Sequence, residues 1–313
     1  MNASHPFEAL LVRALRGGVR AMAWRRSLRF GAALGDLAHT LGIRRAVAEA
    51  NLALAFPDRT APERARILAA HYRQLGQVAC EYARLGELVR APAGQVIAEA
   101  RGLEHLEEAR RGGRGAILLT GHYGNFELVG AWLGQRHPVD FVTKPLSNSA
   151  VDTMRIRMLA EAEVGFIPLG PGVRRVFAAL KKNRWVAMVA DQDARDHGVF
   201  VPFLGRPSST PVGPAALALR TGAPIVMGFA TRREDGRHDL DVIPPLEMPG
   251  PDEADAVHAL TARHAACLEA WVRKHPEMWL WLHRRWKTPP PGPVAVGREV
   301  LARPAAAGGA GGR

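Results

Sequence analysis

A histidine and a glutamate are the first residues in the chain whose types and spacing could do chemistry. His122 and Glu127 lie five residues apart in the stretch 120–127, Thr-Gly-His-Tyr-Gly-Asn-Phe-Glu. A neutral imidazole can take a proton from a hydroxyl, and it needs a partner on its other ring nitrogen to fix its tautomer. Glu127 is the nearby candidate for that partner. The pair therefore predicts general-base chemistry on a hydroxyl group.

The residues around this pair predict a strand, a loop and a helix. Short apolar runs precede and follow the loop, over 116–119 and 128–133, and that order is typical of a buried strand leading into a helix. Gly124 permits backbone torsions that a Cβ would forbid, and Asn125 is a candidate N-cap. Spacing alone leaves open a simpler interpretation, a loop histidine that caps a helix beside an ordinary first-turn glutamate.

Cationic side chains follow the next predicted strand. Lys144 comes directly after the run 139–143, and Arg155 lies on the helix beyond it. A guanidinium and an ammonium at this position could hold a phosphate or a carboxylate. Solvated surface charge is the alternative.

Carboxylates and an amide end a further predicted strand. Asp191, Gln192 and Asp193 follow the run 185–190, and Asp196 is close behind. Their spacing does not match a calcium loop, and no second histidine pair supports zinc. We therefore predict no metal here and expect Asp191 and Gln192 either to cap the loop or to support an active site.

The order of apolar runs defines the fold class. We predict strands over 116–120, 139–143, 165–169, 185–190, 224–230 and 239–243, and helices over 34–54, 62–88, 102–111, 128–133, 147–162, 172–182, 211–221 and 254–274. Alternating strands and helices with short connections are typical of an α/β domain with a mostly parallel central sheet flanked by helices. The first helices form an N-terminal helical layer before that sheet.

Composition and charge indicate a folded protein with an anionic partner. Of 313 residues, 47% are hydrophobic and 23% charged, and the formal net charge is +12 with a pI near 10.8. An anionic lipid surface, a phosphorylated substrate, an acidic carrier protein and nucleic acid all fit this charge. The two distant cysteines, Cys80 and Cys267, indicate free thiols in a reducing compartment.

The N-terminal segment is basic and amphipathic. Apolar residues recur at helical spacing over 7–22 with arginines opposite, as in helices that lie on a membrane surface. A surface helix packed on the domain is the alternative. No apolar run reaches the roughly 18–20 residues that span a bilayer. We expect residues 1–30 to contact membrane and the Pro-, Ala- and Gly-rich residues 289–313 to form a disordered tail.

Two aromatic segments have several interpretations. The stretch 200–206 predicts an exposed, turn-rich loop near the site that either contacts an apolar ligand or packs. The block 279–287 interleaves Trp279, Trp281 and Trp286 with basic residues. Such a block suits nucleic-acid stacking, a membrane interface, or simple packing with the charges outside. Hydrolase-elbow, phosphate-loop and dinucleotide-binding motifs do not occur in the sequence.

Taken together, these motifs resemble the bacterial lipid A biosynthesis acyltransferases, within the lysophospholipid acyltransferase superfamily. His122 and Glu127 match the superfamily's His-x4-Asp/Glu mark. Further similarity lies in the stretches 44–52, 144–146 with Arg155, 191–193, 201–205 and 276–287. One departure is the absence of a clear N-terminal transmembrane helix, which favours peripheral or N-terminal attachment.

The resemblance implies transfer of a fatty acyl chain from an acyl carrier protein or coenzyme A thioester to a hydroxyl of a lipid A precursor or related glycolipid. It implies His122 and Glu127 as catalytic residues, no cofactor, and an acyltransferase domain over 31–288. The residues implied to bind substrate are Gly124, Asn125, Lys144, Arg155, Asp191 and Gln192. We expect a monomer on the cytoplasmic face of the inner membrane, contacting anionic lipid and no nucleic acid.

Three alternatives remain open at this stage. Relatives with this layout acylate phosphatidylinositol mannosides or aminolipids. A non-catalytic membrane-surface protein and a nucleic-acid-binding protein are the alternatives from other classes.

Overall fold

The structure is a computed structural model that describes residues 4–145, 149–170 and 172–291, with the side chains of 4–12, 150 and 151 left aside. The predicted tail from 289 therefore lies mostly outside the described residues. The helices are α1 (Ser4–Ala21), α2 (Trp24–Thr40), α3 (Arg45–Ala55), α4 (Ala61–Tyr82), α5 (Leu85–Leu88), α6 (Leu103–Arg111), α7 (Phe126–Gly134), α8 (Ser149–Glu161), α9 (Val173–Lys181), α10 (Gly213–Thr221) and α11 (Ala256–Lys274).

The strands form one large sheet and one hairpin. They are β1 (Ile97–Arg101), β2 (Ala116–Thr120), β3 (Val139–Thr143), β4 (Gly165–Pro168), β5 (Trp185–Val189), β6 (Gly198–Phe203), β7 (Arg206–Pro211), β8 (Ile225–Arg232) and β9 (His238–Val242). The seven-stranded sheet has the order β1-β9-β8-β2-β5-β3-β4, and β6 pairs with β7 alone. The predicted mostly parallel α/β fold is confirmed.

Five neighbouring strands of this sheet run in the same direction. β8, β2, β5, β3 and β4 are paired in parallel, whereas β9 is antiparallel to β8. The carboxyl ends of parallel strands meet at one edge of a sheet, where open α/β sheets bind their ligands. The segments that follow β2, β3, β4 and β5 are thereby brought together.

Continuous apolar runs explain the centre of the sheet. β2, β3 and β5 read AILLT, VDFVT and WVAMV, and strands covered on both faces are expected to be apolar throughout. Ile117 and Val186 are fully buried between the helical layers. This central region is the part that the sequence predicts best.

Two predicted helices are each divided in the structure. The predicted helix 34–54 consists of α2 and α3, because Gly42 and Arg44 adopt left-handed torsions with φ of 70° and 55°. The predicted helix 62–88 consists of α4 and α5. The predicted amphipathic segment 1–30 is interrupted between Ala21 and Trp24, so that it supplies α1 and the first turns of α2.

One strand and one hairpin escaped prediction. β1 is a short edge strand with alternating burial, which gives no continuous apolar run. The stretch 200–206, predicted as an exposed loop, belongs instead to the β6–β7 hairpin. Val201, Phe203 and Leu204 are buried there, so this segment packs against the core.

Glycines bring two helices of the N-terminal layer unusually close. A Cβ on Gly76 of α4 would lie 1.9 Å from the Gly31 carbonyl oxygen of α2, and a Cβ on Gly35 would lie 2.1 Å from that of Tyr72. Only glycine allows such an approach of two backbones. The α2–α4 contact is therefore the tightest helix crossing in this layer.

The N-terminal helix α1 is attached to the domain at its C-terminal half. Val19 is buried, Arg16 forms an ion pair with Glu161 of α8, and Arg13 and Arg20 are exposed. The predicted apolar positions Phe7, Leu10 and Leu11 lie outside the described side chains. Within the described residues, no helix is long and apolar enough to cross a bilayer.

We predict that Gly76→Ala destabilises the protein by about 1–3 kcal/mol, because the new methyl group must push α2 away from α4. Urea unfolding of the purified protein measures this difference. Gly18→Ala is the matched control, since no atom lies within 4 Å of its Cβ and alanine is favoured over glycine in a helix. Equal urea unfolding midpoints for Gly76→Ala and Gly18→Ala would contradict the close approach of α2 and α4.

Candidate active site

The carboxyl edge of the sheet brings together most of the residues singled out from the sequence. His122 follows β2, Lys144 follows β3, and Asp191 and Gln192 follow β5. Because Thr120 pairs with Val189 across β2 and β5, the two loops begin side by side. The predicted loop position of His122 is confirmed.

His122 is held by a carboxylate from the neighbouring loop. Its ring Nδ1 lies 2.7 Å from Asp191 Oδ1, and its backbone N–H donates to Asp191 Oδ2 at 2.7 Å. Trp279 Nε1 donates to the same oxygen at 2.8 Å. An ionised Asp191 requires the proton on Nδ1, which leaves Nε2 as the acceptor. Gln192 Nε2 lies 3.4 Å from that atom.

The electrostatics of this pair make the imidazole a stronger base and Asp191 a stronger acid. Burial of the His122 ring opposes protonation, but the charge and hydrogen bond of Asp191, with a contribution from Glu127, raise its pKa above the ordinary value. Burial of Asp191 would raise its pKa, yet His122 and Trp279 lower it to about 2. Asp191 is therefore an anion at neutral pH, and His122 is a strengthened base.

Glu127 does not make the predicted hydrogen bond with His122. It lies in the first turn of α7, as expected, but no hydrogen bond joins it to His122 in the structure; Asp191 occupies the predicted partner position instead. Burial raises the pKa of Glu127 to about 7, against the opposing charges of Arg155 and His122. Glu127 is thus a carboxyl group near its titration point that acts on His122 through charge alone.

Asn125 and Gly124 shape the loop. Asn125 is the N-cap of α7, accepting from Leu128 N–H at 3.1 Å, and its amide donates to Glu81 Oε2 at 2.8 Å. With only 1% of its surface exposed, Asn125 is unavailable to a ligand. Gly124 has φ of 56°, and a Cβ there would lie 1.9 Å from the Ala230 carbonyl oxygen. Neither residue lines the cavity described below.

Glu81 connects this cap to a buried ionic cluster. Arg232 on β8 lies 2.7 Å from Glu81 Oε2, and His238 on β9 lies 3.0 Å from Oε1. Burial opposes ionisation of Glu81, but these two residues lower its pKa far below the ordinary value. The cluster fixes the start of α7 against α4 and the sheet.

A cavity of about 350 Å³ opens beside His122 and extends between α7 and the sheet. Its polar end carries His122, Glu127, Lys144, Arg155 and Gln192. Its remaining lining is mainly apolar: Leu118, Leu119, Phe126, Val129, Gly130, Leu133, Phe141, Val142, Ala187, Met188, Val189 and Ala230, with Thr120, Thr143 and Gly228. Such a slot suits a long apolar chain whose polar end remains at His122.

The two predicted cations lie at the mouth of this cavity. Lys144 is exposed. Arg155 is mostly covered, with its guanidinium 2.7 Å from Asp152 Oδ1 and donating to Thr143 Oγ1 at 2.7 Å. The protein thus fixes Arg155 in place, whereas the Lys144 side chain is exposed at the mouth.

The C-terminal Trp–Arg block supports the His loop from behind. Gly124 N–H donates to Met278 O, and Leu280 N–H donates to His122 O. Trp279 and Trp281 are 1% and 0% exposed, so neither can stack on nucleic acid. The expectation that all charges of this block lie outside is wrong, because Arg285 is 1% exposed.

Two features of the site escaped prediction from the sequence: Asp191 as the partner of His122, and the hydrogen bond from Trp279 to Asp191. The block was recognised as a motif, but nothing in its spacing relates Trp279 to a residue 88 positions earlier. Within the described residues, no group of three or more His, Cys, Asp or Glu side chains could hold a metal ion.

The fold and the site define the class of protein as an α/β protein with a base–carboxylate pair at the carboxyl edge of its sheet, beside an apolar slot. Sequence comparison identifies the family. The model of the family described as bacterial lipid A biosynthesis acyltransferase matches residues 2–288. The chain belongs to this family, and the resemblance noted from its motifs is confirmed.

Individual relatives agree with this family. A phosphatidylinositol mannoside acyltransferase of Mycobacterium tuberculosis H37Rv is 34% identical over 192 residues, 59% of this chain and 58% of the relative. The chain thus spans little more than half of that protein. A lipid A biosynthesis palmitoleoyltransferase and a lauroyltransferase of Escherichia coli K12 are each 28% identical, covering 84% of this chain and 85% and 86% of the relatives.

We predict that Asp191→Asn lowers the pKa of His122 by about 1–2 units, because it removes the negative charge that raises this pKa and replaces a charged acceptor with a weaker, neutral amide oxygen. Nuclear magnetic resonance titration of ¹⁵N-histidine-labelled protein measures this value. Glu127→Gln, which removes only a remote charge, is expected to lower the pKa less. A larger shift in Glu127→Gln than in Asp191→Asn would reverse the assignment of the orienting carboxylate.

Proposed function

We propose that the protein is an O-acyltransferase. It moves a fatty acyl chain from a carrier thioester, acyl carrier protein or coenzyme A, to a hydroxyl of a lipid A precursor or related glycolipid. The observation that carries the proposal is the position of the His122–Asp191 pair at the mouth of the apolar slot. Family membership and the names of the relatives support it.

His122 is the general base in this proposal. Its Nε2 takes the proton of the acceptor hydroxyl while the oxygen attacks the thioester carbonyl carbon. The carbon–sulfur bond then breaks, and the proton passes from His122 to the leaving sulfur, which departs as a thiol. Asp191 holds the tautomer and stabilises the imidazolium that forms between these steps, as in other base–carboxylate pairs. The acceptor hydroxyl attacks directly, so no covalent enzyme intermediate is required.

The other residues at the mouth position the two substrates. Gln192 can donate a hydrogen bond beside Nε2, where the thioester oxygen gains negative charge. Arg155 and Lys144 hold phosphate groups of donor or acceptor. Glu127 adds negative charge near His122. Because its pKa is about 7, its carboxyl group can either accept a hydrogen bond from the lipid substrate or donate one to it.

The apolar length of the slot accommodates the acyl chain. Its lining between α7 and the sheet is mainly apolar, so burying an acyl chain there removes apolar surface from water. The overall composition, 47% hydrophobic, carries no information about which thioester is the acyl donor. Acyl carrier protein and coenzyme A are therefore both candidate donors, and the negative charge of each suits the cations at the mouth of the slot.

The acceptor is a glycolipid with a free hydroxyl. The E. coli relatives are named for lipid A biosynthesis and the mycobacterial relative for phosphatidylinositol mannoside. The lipid A enzymes match a larger share of this chain than the mycobacterial protein does, which favours a lipid A precursor as the acyl acceptor. A phosphatidylinositol mannoside or an aminolipid is the second candidate, favoured by the higher identity to the mycobacterial protein.

The proposed location is the cytoplasmic face of the inner membrane. Exposed Arg13 and Arg20 on α1, together with the net charge of +12, suit contact with anionic lipid. The attachment is then peripheral or N-terminal, and the protein is a monomer. A nucleic-acid-binding function receives no support from the buried tryptophans, and a non-catalytic membrane protein leaves the His122–Asp191 pair without a role.

We predict that His122→Ala lowers acyl transfer by about 10²–10⁴-fold, since it removes the general base. Purified protein is incubated with acyl carrier protein and coenzyme A thioesters and with each glycolipid, and products are identified by mass spectrometry. His197→Ala is the matched control, because His197 is exposed and outside the site. A folded His122→Ala variant with wild-type turnover would refute the assignment.

We predict that Gly130→Ala shifts the preference of the enzyme toward shorter acyl chains. The Cβ at this position would lie 2.6 Å from the Phe141 ring, so the added methyl narrows the slot between α7 and β3. Transfer rates measured with a series of acyl thioesters of increasing length test this expectation.

Gly134→Ala on the same helix is the control for this prediction. The nearest atom to its Cβ would be 3.7 Å away on Val164, an ordinary contact outside the cavity. An identical chain-length profile for wild type, Gly130→Ala and Gly134→Ala would show that the acyl chain lies elsewhere.

A further inference from the structure

Arg285 is a buried cation whose purpose the proposed mechanism does not explain. It is 1% exposed and forms no ion pair with any carboxylate of the described residues. Two of its nitrogens donate to Ser209 O and Thr210 Oγ1 on β7. Its Nε is buried and has no hydrogen-bond partner among the described residues. Burying a guanidinium in this way is unfavourable unless charge nearby compensates it.

A small second cavity connects Arg285 to Asp191. Its volume is about 10 Å³, and both residues line it together with Thr120 and His264. Thr120 Oγ1 and His264 Nε2 are also buried without a partner in the described part of the chain. Three unpartnered polar groups and one carboxylate thus border a space the size of a single water molecule.

We infer that this cavity holds one ordered water molecule that links Arg285 to Asp191, and that Arg285 is thereby a positioning residue for the Asp191–His122 pair. The water accepts from Arg285 Nε–H and from the Thr120 hydroxyl, and it donates to Asp191 and to His264 Nε2. Such a water satisfies every buried polar atom that the protein leaves open at this place. The inference rests on the proposed function for its catalytic meaning.

The effect of Arg285 on the Asp191–His122 pair depends on the other titratable groups that surround this pair. The groups that face it are Glu127 on α7, Asp193 on the same loop as Asp191, His264 on α11, and His283 and Arg285 in the C-terminal segment. Burial lowers the pKa of His264 to about 4, and burial also lowers that of His283, so both are neutral at pH 7. Arg285 is therefore a cation at neutral pH that shares the small cavity with Asp191.

A fixed cation behind Asp191 has a definite effect on protonation. The Arg285 charge stabilises the ionised Asp191 carboxylate and disfavours binding of an extra proton by the Asp191–His122 pair. Removal of this charge makes protonation of His122 more favourable and so raises the pKa of His122. Since His122 must be neutral to act as a base, the acid limb of the rate profile moves to higher pH when Arg285 is lost.

The test uses Arg285→Gln, Arg285→Lys and Arg84→Gln in the full chain. Arg84 is 4% exposed, pairs with Glu87 and lines neither cavity, so Arg84→Gln reproduces the loss of a buried arginine that does not contact Asp191. The pKa of His122 is measured by nuclear magnetic resonance below pH 8, independently of any activity. The pH dependence of kcat/KM is measured in parallel.

We expect Arg285→Gln to raise the pKa of His122 by about 0.5–1 unit, and to lower kcat/KM on the acid limb by about threefold to tenfold. Arg285→Lys keeps the charge and is expected to restore the wild-type profile. Arg84→Gln is expected to leave the pKa of His122 unchanged. An unchanged pKa in Arg285→Gln, or an equal shift in Arg84→Gln, would overturn the inference.

Two further measurements keep the inference testable if Arg285→Gln does not fold. Thr120→Val preserves shape and removes one partner of the water, and it is expected to raise the pKa of His122 by a smaller amount; no shift would count against the inference. A crystal structure is expected to show the water between Arg285 Nε and Asp191, and a dry cavity would overturn it. If the pKa shifts appear but no acyl transfer occurs, the proposed function fails while the linkage of Arg285 to Asp191 stands.

Discussion

The site depends on one hydrogen bond, from His122 Nδ1 to Asp191, and that bond depends on the register of two strands. β2 and β5 are adjacent and parallel, with Thr120 opposite Val189. His122 and Asp191 each lie two positions beyond these residues, so the ring and the carboxylate meet although they are 69 positions apart. A one-residue change in register would reverse the faces of the strand and separate them. The chemistry of the site is therefore a direct consequence of the sheet order.

An ionised carboxylate at a buried position requires several donors, and the structure supplies three of them from two segments, the His loop and the C-terminal block. The His122 ring, the His122 backbone N–H and the Trp279 indole all donate to Asp191. Without them, burial would favour the protonated acid, and the imidazole would lose its orienting anion. The same principle governs Glu81, whose charge is balanced by Arg232 and His238. Two buried anions, each with its own cations or donors, thus fix opposite sides of the His loop.

The sequence predicted those parts of the molecule that local pattern determines. The central strands follow from continuous apolar runs, and the N-cap role of Asn125 follows from its place before a helix. The partner of His122 could not be found in this way, because proximity along the chain favoured Glu127 whereas the order of strands selects Asp191. Trp279 is distant in sequence for the same reason. The β6–β7 hairpin was missed because its second strand, RPSSTP, is polar and contains two prolines.

Helix α7 unites the base and the apolar slot in one element. Asn125 caps it, Glu127 lies in its first turn, and Gly130 and Leu133 line the cavity further along. At 1.5 Å per residue, the distance from Glu127 to Leu133 is about 9 Å, so an acyl chain lying beside α7 has its carbonyl at the amino end of the helix. Peptide dipoles favour negative charge at that end, where the attacked carbonyl oxygen develops it. In the proposed mechanism, the orientation of α7 therefore serves acyl binding and charge stabilisation together, and Gly130 is where the absence of a side chain leaves room for the acyl chain.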